Sequence, residues 1–227
     1  VTADLSVLVA STIVPAGPDV TLVQDGYGTT DEIANIEEFR GSEFADTITA
    51  GANTSFIDGR GGNDILIGGS GIHTLRGGAG DDRLEGSGIT VDSNNEFNRV
   101  DYRDATDGVT VQLGGGVNAN EGTAFSTNVG DTANIGVDTL VNAEFAFGSE
   151  FADTVTVNTG YTNRFNGFFE FEGRGGDDTI NVLSTDLFVR ASYQNAAAGV
   201  EVDLEAGTAS SIVADDAGVG TDTFTPA

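Results

Sequence analysis

The sequence predicts an all-β protein in which short strands stack as a solenoid, and two observations carry this prediction. Five nine-residue units follow one another without a gap from Gly41 to Glu85. In every unit the eighth residue is apolar, and glycine occupies most first positions and the second or fourth position of most units. This density of glycine excludes a helix. Each unit is therefore expected to form a loop of about six residues followed by a strand of about three.

The five units share one pattern, and they are GSEFADTIT (41–49), AGANTSFID (50–58), GRGGNDILI (59–67), GGSGIHTLR (68–76) and GGAGDDRLE (77–85). Their apolar eighth residues are Ile48, Ile57, Leu66, Leu75 and Leu84. Because successive strand residues face opposite sides, these side chains are predicted to point into the core. Glycine in the loops permits positive φ and lets one coil lie close to the next.

A longer repeat relates two parts of the chain. The heptapeptide GSEFADT at 41–47 recurs unchanged at 148–154, and GRGGND at 59–64 matches GRGGDD at 173–178. The second pair of motifs starts 25 positions apart and the first pair 18, so the second block contains 25 minus 18, or seven, additional residues. The insertion lies in VNTGYTNRFNGFFEFE (157–172), whose aromatic residues are expected to join the core or cover a coil end.

A second type of segment separates the coils. VDYRDATDGVTVQLGGG (100–116) resembles ASYQNAAAGVEVDLEAG (191–207), and the alternation of apolar residues in both predicts half-buried strands. The residues that match are Tyr102 with Tyr193, Gly108 with Gly199, Val109 with Val200, Val111 with Val202, and Leu113 with Leu204. Short turns of the type GTTDEI (28–33), GVDTL (136–140) and GTDTF (220–224) complete the unit.

These repeats divide the chain into three blocks. Residues 1–99 hold N-terminal strands and the coils at 41–86, residues 100–189 hold a strand spacer and the coils at 148–181, and residues 190–227 begin a third unit. A solenoid cannot bury a terminal coil alone. A cap from another segment or subunit is therefore expected at the incomplete third block.

The net charge of the chain limits the classes of molecule that it can bind. Nine arginines, no lysine and 36 acidic residues give a net charge of −27, which repels nucleic acid and anionic lipid. Hard divalent cations, which prefer oxygen ligands, are the natural counterions. The chain has no cysteine, so disulfides and thiolate metal sites are excluded. No apolar run is long enough for membrane insertion.

The sixth position of each nonapeptide is the candidate position for a metal ligand. In chain order it is occupied by Asp46, Ser55, Asp64, His73 and Asp82. If each unit forms half a coil, loops eighteen residues apart share one edge. Alternate units then have their loops on the same edge. The three aspartates therefore lie on one edge, and Ser55 and His73 lie on the other. Stacked carboxylates repel one another, but a cation between each pair satisfies both. The sequence therefore predicts one Ca²⁺ site between Asp46 and Asp64 and another between Asp64 and Asp82.

The remaining candidate ligands follow from the same arrangement. Backbone carbonyls in the glycine-rich loops are expected to complete the coordination, and the candidates are Gly59, Gly61, Gly77, Ala79, Gly173 and Gly175. Asp153 and Asp178 hold the equivalent aspartate positions in the second block and predict a third site. Asn63, Asp81 and Asp177 either support neighbouring sites or solvate the edge. The alternative for any single aspartate is a turn former that bonds its own backbone, whereas three in register favour calcium.

His73 has two interpretations. As the chain's one histidine, with no cysteine to join it, it is poorly placed to be a transition-metal ligand. We interpret it as a filler on the edge where calcium is not expected.

The nonapeptides resemble the GGxGxDxUx repeats of the RTX (repeats-in-toxin, haemolysin-type) calcium-binding family. GGAGDDRLE fits the pattern fully, and GRGGNDILI and GRGGDDTIN depart from it only in the arginine at the second position. The resemblance implies a parallel β-roll that orders on binding Ca²⁺, and a bacterial protein secreted by a type I system to the extracellular space or cell surface. The C-terminal signal of that route is not evident in AGVGTDTFTPA (217–227), so a segment of a longer protein is expected.

Three kinds of function are compatible with these features. The first is a noncatalytic calcium-binding module that serves as a surface-layer element, spacer or adhesin, with a surface glycan or protein as receptor. The second is an accessory domain of a toxin or of a secreted protease, lipase or polysaccharide-modifying enzyme. The third is self-assembly, in which head-to-tail contacts build a filament. The sequence has neither HExxH nor GxSxG, and we predict that the chain is not itself an enzyme.

Overall fold

The computed structural model describes residues 2–4, 21–24, 30–33, 36–51, 54–68, 71–86, 97–163, 168–213 and 216–225. Within these ranges the chain forms β-strands and turns and no α-helix, as predicted. Consequently, no helix in the described part of the chain has the length and apolar character needed to cross a membrane.

The strands are short, and most have three to six residues. In chain order they are β1 (Thr2–Asp4), β2 (Thr21–Gln24), β3 (Thr30–Ile33), β4 (Glu38–Arg40), β5 (Thr47–Thr49), β6 (Phe56–Gly61), β7 (Ile65–Ile67), β8 (Ile72–Ala79), β9 (Arg83–Glu85), β10 (Phe97–Asp101), β11 (Val109–Leu113), β12 (Glu121–Ser126), β13 (Val137–Val141), β14 (Phe145–Phe147), β15 (Thr154–Val157), β16 (Phe168–Glu172), β17 (Thr179–Val182), β18 (Phe188–Ala191), β19 (Val200–Asp203), β20 (Thr208–Ser211) and β21 (Thr221–Thr225).

Two sheets contain all of these strands. One has fourteen strands in the order β19-β20-β21-β17-β15-β11-β12-β13-β9-β7-β5-β1-β2-β3, and the other has seven in the order β18-β16-β14-β10-β8-β6-β4. From β4 to β10 successive strands alternate between the sheets. Each nonapeptide therefore contributes one strand, and units two apart along the chain become neighbours in the same sheet.

The pairing confirms the eighteen-residue period. In the fourteen-stranded sheet Ile48 lies beside Leu66 and Leu66 beside Leu84, and in the seven-stranded sheet Ile57 lies beside Leu75. The strands that carry these pairs are parallel. All of these apolar residues are fully buried between the sheets, as the sequence predicts.

Strand lengths agree with the prediction in one sheet and exceed it in the other. β5, β7 and β9 have three residues each, but β6 has six and β8 has eight. The longer strands continue into the glycine-rich loop, where Arg60 pairs with Gly78 and Gly61 with Ala79. Glycine at these positions allows the backbones to approach closely enough to extend the ladder.

The spacer segments form three-stranded antiparallel meanders inside the larger sheet. β11, β12 and β13 pair antiparallel with one another, while β13 pairs parallel with β9 and β11 pairs parallel with β15. β21 likewise pairs with β17, and β1 pairs with β5. The larger sheet is therefore mixed rather than wholly parallel, because each meander inserts two antiparallel pairings between parallel coils.

The inserted aromatic residues of the second block lie mainly in the core. Phe169 and Phe171 are fully buried, and Phe168 stacks on Phe188 with 6.0 Å between ring centroids. Phe165, which belongs to the same predicted cluster, lies outside the described residues. The additional residues thus contribute aromatic side chains to the core around β16 and account for the 25-residue spacing in this block.

Candidate metal centre

Four aspartates form a continuous column along one edge of the coils, which we call the first aspartate column: Asp46, Asp64, Asp82 and Asp138. The backbone N–H of each member donates to Oδ1 of the next, at 2.8, 2.8 and 3.0 Å in order. All four side chains are buried. The structure thus brings together the three aspartates predicted to share one edge and adds a fourth, which follows Asp82 by 56 residues.

A second aspartate column has the same construction in the second block and consists of Asp153, Asp178 and Asp222. The N–H of Asp153 donates to Oδ1 of Asp178 at 2.8 Å, and that of Asp178 donates to Oδ1 of Asp222 at 2.9 Å. At the start of this column Oδ1 of Asp153 accepts the N–H of Val109 at 2.7 Å. The seven-residue insertion therefore leaves the aspartate register unchanged.

The glycine that opens each aspartate-bearing nonapeptide makes room for the carboxylate of its own loop. A Cβ on Gly59 would lie 2.1 Å from Oδ2 of Asp64, and one on Gly77 would lie 2.1 Å from Oδ2 of Asp82. In the second block a Cβ on Gly148 would lie 2.1 Å from Oδ2 of Asp153. The first-position glycine is thus required by the site itself, because any side chain there would displace the carboxylate.

Backbone carbonyl oxygens also lie in the space that each first-position glycine leaves beside the carboxylate. We call this space the glycine cradle. The carbonyl of Gly59 lies 2.7 Å from where a Cβ of Gly41 would be, beside Oδ2 of Asp46, and the carbonyl of Gly77 lies 2.6 Å from the corresponding point on Gly59. The carbonyl of Gly173 takes this place at Gly148, at 2.9 Å. Three of the predicted carbonyl ligands therefore lie next to the carboxylate of the preceding coil.

The other predicted carbonyl positions have different surroundings. The carbonyl of Ala79 accepts the N–H of Gly62 at 2.9 Å. Gly61 faces the carboxylate of Glu43, whose Oε2 lies 3.0 Å from a Cβ built on that glycine, and Gly175 faces Glu150 in the same way at 3.2 Å. Neither glutamate was predicted from the sequence, although their identical position in the two GSEFADT motifs was the available signal.

The fifth positions of the loops form a separate ladder. Oδ1 of Asn63 accepts the N–H of Asp81 at 3.2 Å, and Oδ1 of Asp81 accepts the N–H of Val137 at 2.9 Å. Oδ1 of Asp177 accepts the N–H of Thr221 at 2.8 Å. The Asn63 contact joins two nonapeptide loops, whereas the Asp81 and Asp177 contacts attach the last nonapeptide loop of each block to the G-x-D-T turn of the following meander.

The ends of both columns are satisfied by protein groups. At the first members, Oδ2 of Asp46 accepts the N–H of Ser42 at 2.5 Å and Oδ2 of Asp153 accepts that of Ser149 at 2.7 Å. At the last members, tyrosine hydroxyls donate to Oδ2, and the pairs are Tyr102 with Asp138 at 3.0 Å and Tyr193 with Asp222 at 2.7 Å.

The interior members differ in this respect. Among the described residues, Oδ2 of Asp64, Asp82 and Asp178 is buried without a hydrogen-bond partner. A buried carboxylate oxygen without a partner carries a large desolvation cost. The three oxygens in question therefore identify the places in the columns where a further electropositive group is needed.

Burial raises the pKa of Asp64 and Asp82 in the first column and of Asp153 and Asp178 in the second. The pKa of Asp64 is raised to about 6 and that of Asp82 to about 7, chiefly by desolvation. In the second column, burial raises the pKa of Asp153 to about 7 and that of Asp178 to about 9. The preceding carboxylate in each column raises the pKa of Asp64, Asp82 and Asp178 further, while the contact with the preceding N–H lowers it.

The opposite edge also carries a polar column, exposed at Ser55 and buried from His73 onward, which was not anticipated. Ser55 and His73 lie there in adjacent coils, as predicted, and the register continues from His73 to Asn98. The N–H of Asn98 donates to Oε2 of Glu144 at 2.9 Å, and both side chains are buried. This edge therefore also carries an acidic residue, Glu144. Its members are 18, 25 and 46 residues apart, and that irregular spacing hides them in the sequence.

Within the described ranges no three His, Cys, Asp or Glu side chains converge on one point. A cation between two coils would therefore contact two carboxylates and take its remaining ligands from backbone carbonyls. A ligand set made only of oxygen suits a hard cation such as Ca²⁺, which accepts six to eight oxygens in flexible geometry.

Comparison with known families agrees with this chemistry. A family model for the RTX calcium-binding nonapeptide repeat (4 copies) matches residues 40–72 and 74–88. These two stretches carry RTX calcium-binding repeats. The matched RTX segment contains the first three members of the first aspartate column, together with the glycines at 41, 59 and 77.

RTX nonapeptide repeats bind Ca²⁺ and are typical of secreted bacterial proteins. The second aspartate column lies outside the matched RTX segment, but its loops have the same hydrogen bonds and the same glycine cradles. No curated protein and no solved structure matches the chain.

Proposed function

We propose that this chain is an extracellular calcium-binding structural module in which Ca²⁺ ions between successive coils complete and rigidify a parallel β-roll. The observation that carries the proposal is the distribution of unpartnered carboxylate oxygens. Within the two aspartate columns they belong to Asp64, Asp82 and Asp178, whereas serine or tyrosine satisfies Oδ2 at each column end. A cation next to each would give three sites, between Asp46 and Asp64, between Asp64 and Asp82, and between Asp153 and Asp178.

Electrostatics gives the reason for coupling binding to folding. Parallel strands lie about 4.8 Å apart. Two ionised carboxylates at that separation repel by about 3.5 kcal/mol at an effective dielectric constant of about 20. Without a counterion, stacking the interior aspartates at neutral pH opposes the fold. A divalent cation between each pair converts the repulsion into two attractive contacts, so calcium affinity becomes folding free energy.

The backbone carbonyls that lie in the glycine cradles are assigned as the additional ligands of these sites. The carbonyls of Gly59, Gly77 and Gly173 support this role because each lies beside the carboxylate of the preceding coil. Asn63, Asp81 and Asp177 have a different environment, since their side-chain oxygens accept backbone N–H groups from the next loop. We assign Asn63 to joining two successive coils, and Asp81 and Asp177 to joining the coils to the meanders.

We further propose a mechanical role at the cell surface, as a spacer or an element of a surface layer or adhesin, without catalytic activity of its own. The three blocks at 1–99, 100–189 and 190–227 would act as successive lengths of one β-roll. Both columns and the pairing that continues from β9 through the meander to β15 support this arrangement.

The test is a calcium titration of the metal-free chain at about pH 7.5, near neutrality where ionised carboxylates bind the cation. Circular dichroism and isothermal titration calorimetry follow it. We expect a gain of β structure on adding Ca²⁺ and about three ions bound per chain. Mg²⁺ should substitute poorly, because it retains its water and demands a tighter octahedral geometry. Identical spectra in chelator and in millimolar Ca²⁺, with no heat of binding, would contradict the proposal.

A further inference from the structure

A buried amide lies where the first coils meet the β11–β13 meander, on the edge opposite to the first aspartate column. Asn98 is 2% exposed, and among the described residues neither Oδ1 nor Nδ2 of its side chain has a hydrogen-bond partner. A buried polar group that makes none of its hydrogen bonds carries an uncompensated desolvation cost. A ligand that contacts this amide would remove that cost.

The fold itself does not require an amide at this position. Asn98 lies in β10, whose counterpart in the longer repeat is β18, so that FNRVDY (97–102) aligns with FVRASY (188–193). Val189 thus takes the place of Asn98, and it packs against the hydrophobic core. Because an apolar side chain serves in the equivalent coil, the polar group at 98 points to a ligand rather than to a packing role.

The surroundings of Asn98 repeat the construction of the aspartate columns. The N–H of Asn98 donates to Oε2 of Glu144 at 2.9 Å, just as the N–H of Asp46 donates to Oδ1 of Asp64 at 2.8 Å. Glu144 is fully buried and precedes β14, the strand that pairs parallel with β10. An amide and a carboxylate therefore occupy successive coils here, where the columns have two carboxylates.

Gly86 leaves a space beside Asn98 of the same kind as the glycine cradle. A Cβ on Gly86 would lie 2.8 Å from Nδ2 of Asn98 and 2.5 Å from the carbonyl oxygen of Asn142. At Gly59 the corresponding atoms are Oδ2 of Asp64, at 2.1 Å, and the carbonyl oxygen of the next loop, at 2.6 Å. The amide therefore takes the place of the carboxylate, and a half-turn about its Cβ–Cγ bond directs Oδ1 into this space.

We propose that Asn98, Asn142 and Glu144 bind one further Ca²⁺ ion. The ligands are Oδ1 of Asn98, the carbonyl of Asn142 and the carboxylate of Glu144, which are all oxygen types that Ca²⁺ accepts. One carboxylate in place of two makes this site weaker than those of the columns, because affinity depends on the charge of the ligand set. The site goes beyond the proposed function, since none of its ligands lies in a nonapeptide and the sixth positions predict no calcium on this edge.

The proposed ion joins coils on the two sides of the meander. Asn98 precedes β11–β13 in the chain, and Glu144 follows them. On the aspartate edge a protein group stabilises the same junction, because the hydroxyl of Tyr102 donates to Oδ2 of Asp138. The two edges of the junction are therefore stabilised by different chemistry, and calcium acts on only one of them.

The test counts the Ca²⁺ ions bound to the full chain by isothermal titration calorimetry at about pH 7.5. We expect about three ions in a tight phase and about one in a weaker phase. Asn98→Val, which introduces the residue of the equivalent coil, should remove the weaker phase and retain the tight one. Glu144→Gln should do the same, while Glu201→Gln, which removes the same charge at an exposed position, should retain both phases.

Two further variants test the geometry of the site. Asn98→Asp supplies a second carboxylate and should tighten the weaker phase roughly tenfold. Gly86→Ala would place a methyl group 2.5 Å from the carbonyl oxygen of Asn142 and should abolish that phase. In the control Gly199→Ala the methyl group would meet only the end of the exposed Ile212 side chain, at 2.9 Å, and both phases should remain.

Stability distinguishes a lost ligand from a damaged fold. In chelator at about pH 5, where the metal-free chain is expected to be folded, Asn98→Val should resist urea at least as well as the wild type. In saturating Ca²⁺ it should gain less stability than the wild type does. A variant that fails to fold in chelator would show that the amide is a structural group, and it would overturn the proposal.

The calcium count can also overturn the proposal on its own. A wild-type chain that binds three ions and no more would do so, as would a weaker phase that survives both Asn98→Val and Glu144→Gln. Either result would leave the three column sites, and with them the proposed function, intact. Absence of all calcium binding would overturn both, and the wild-type titration would reveal it before any variant is made.

Discussion

The backbone N–H of Asp46 donates to Oδ1 of Asp64, eighteen residues later, at 2.8 Å. The same contact recurs down both aspartate columns, so each carboxylate supports the preceding coil through one oxygen and leaves the other for a further partner. At the column ends that partner is a serine N–H or a tyrosine hydroxyl. In the interior, we propose that it is Ca²⁺.

Protonation of the buried column aspartates at low pH should allow the chain to fold without calcium. The folded-state pKa values of Asp64, Asp82 and Asp178 are raised to about 6, 7 and 9 because these groups are buried. A raised carboxyl pKa contributes stability that is fully present below the unfolded value of 3.8 and is lost as the pH rises through the folded value. A tenfold difference in proton affinity between the folded and unfolded states corresponds to about 1.4 kcal/mol.

Circular dichroism of the calcium-free chain should therefore show β structure at about pH 5 that is lost between roughly pH 6 and pH 9. Addition of Ca²⁺ at about pH 8 should restore it. Asp101 acts in the opposite direction, because its bonds to Arg103 and Arg76 outweigh its burial and lower its pKa. Measurements should therefore stay above about pH 4.5, where that carboxylate remains ionised. A metal-free chain that gains β structure as the pH rises would refute this account.

Substitution of Asp64 should remove more calcium than substitution of Asp82. Asp64 borders two of the proposed sites, so Asp64→Asn is expected to reduce the stoichiometry from about three ions to about one. Asp82→Asn should leave about two. Calorimetric titration measures both, and Asp186→Asn, which removes the same charge at an exposed turn, should retain all the sites. Equal losses for Asp64→Asn and Asp82→Asn would contradict the edge assignment.

The first three members of the first column could be predicted from the sequence, but the last could not. Asp46, Asp64 and Asp82 follow an unbroken nine-residue period, and strand alternation then determines which edge they share. Asp138 joins the same column only after an irregular interval of 56 residues, because the β11–β13 meander lies between it and the nonapeptides. The repeated Gly-x-Asp-Thr turns and the matched pair Tyr102 and Tyr193 were the signals that could have found it.

The polar column on the other edge illustrates a second limit. His73, Asn98 and Glu144 become neighbours through β8, β10 and the residue before β14, and no periodic pattern in the sequence connects them. Local patterns predict contacts within a repeated coil. They do not predict which residues an irregular connection brings into register.

The glycine cradle predicts a large effect for a small substitution. In Gly59→Ala the new methyl group would lie 2.1 Å from Oδ2 of Asp64 and 2.6 Å from the carbonyl of Gly77. We expect a loss of roughly 1–3 kcal/mol in the free energy of unfolding and about tenfold weaker calcium affinity. Urea denaturation and calcium titration measure the two effects. Gly199→Ala is the matched control and should change neither. Wild-type affinity in Gly59→Ala would show that calcium does not use this cradle.

A tyrosine hydroxyl, rather than a metal ion, should stabilise the last aspartate carboxylate of each column. Tyr102→Phe removes the hydroxyl that donates to Oδ2 of Asp138 and leaves that buried oxygen without its partner. We expect a loss of about 1–3 kcal/mol in the free energy of unfolding, measured by urea denaturation in saturating Ca²⁺. In a double-mutant cycle, Asp138→Asn should be less costly in the Tyr102→Phe background than alone. Additive effects would mean that the two groups do not interact.

Arginine at the second loop position predicts a stabilising substitution. Arg60 and Arg174 have φ values of 76° and 78°, in the left-handed region that glycine occupies at little cost. Each residue with a side chain loses about 1–2 kcal/mol there. Arg60 recovers part of this through an ion pair with Glu43 at 2.7 Å, but both side chains are more than half exposed. Such pairs contribute about 0–1 kcal/mol.

Arg60→Gly should therefore raise the free energy of unfolding by up to about 1 kcal/mol, measured by urea denaturation in saturating Ca²⁺. Arg174→Gly should gain less, because Arg174 is less exposed and bonds Glu150 at 2.6 Å through Nε. High salt screens the exposed pair and should increase the benefit of Arg60→Gly. A destabilised Arg60→Gly would show instead that the Glu43 contact outweighs the backbone strain.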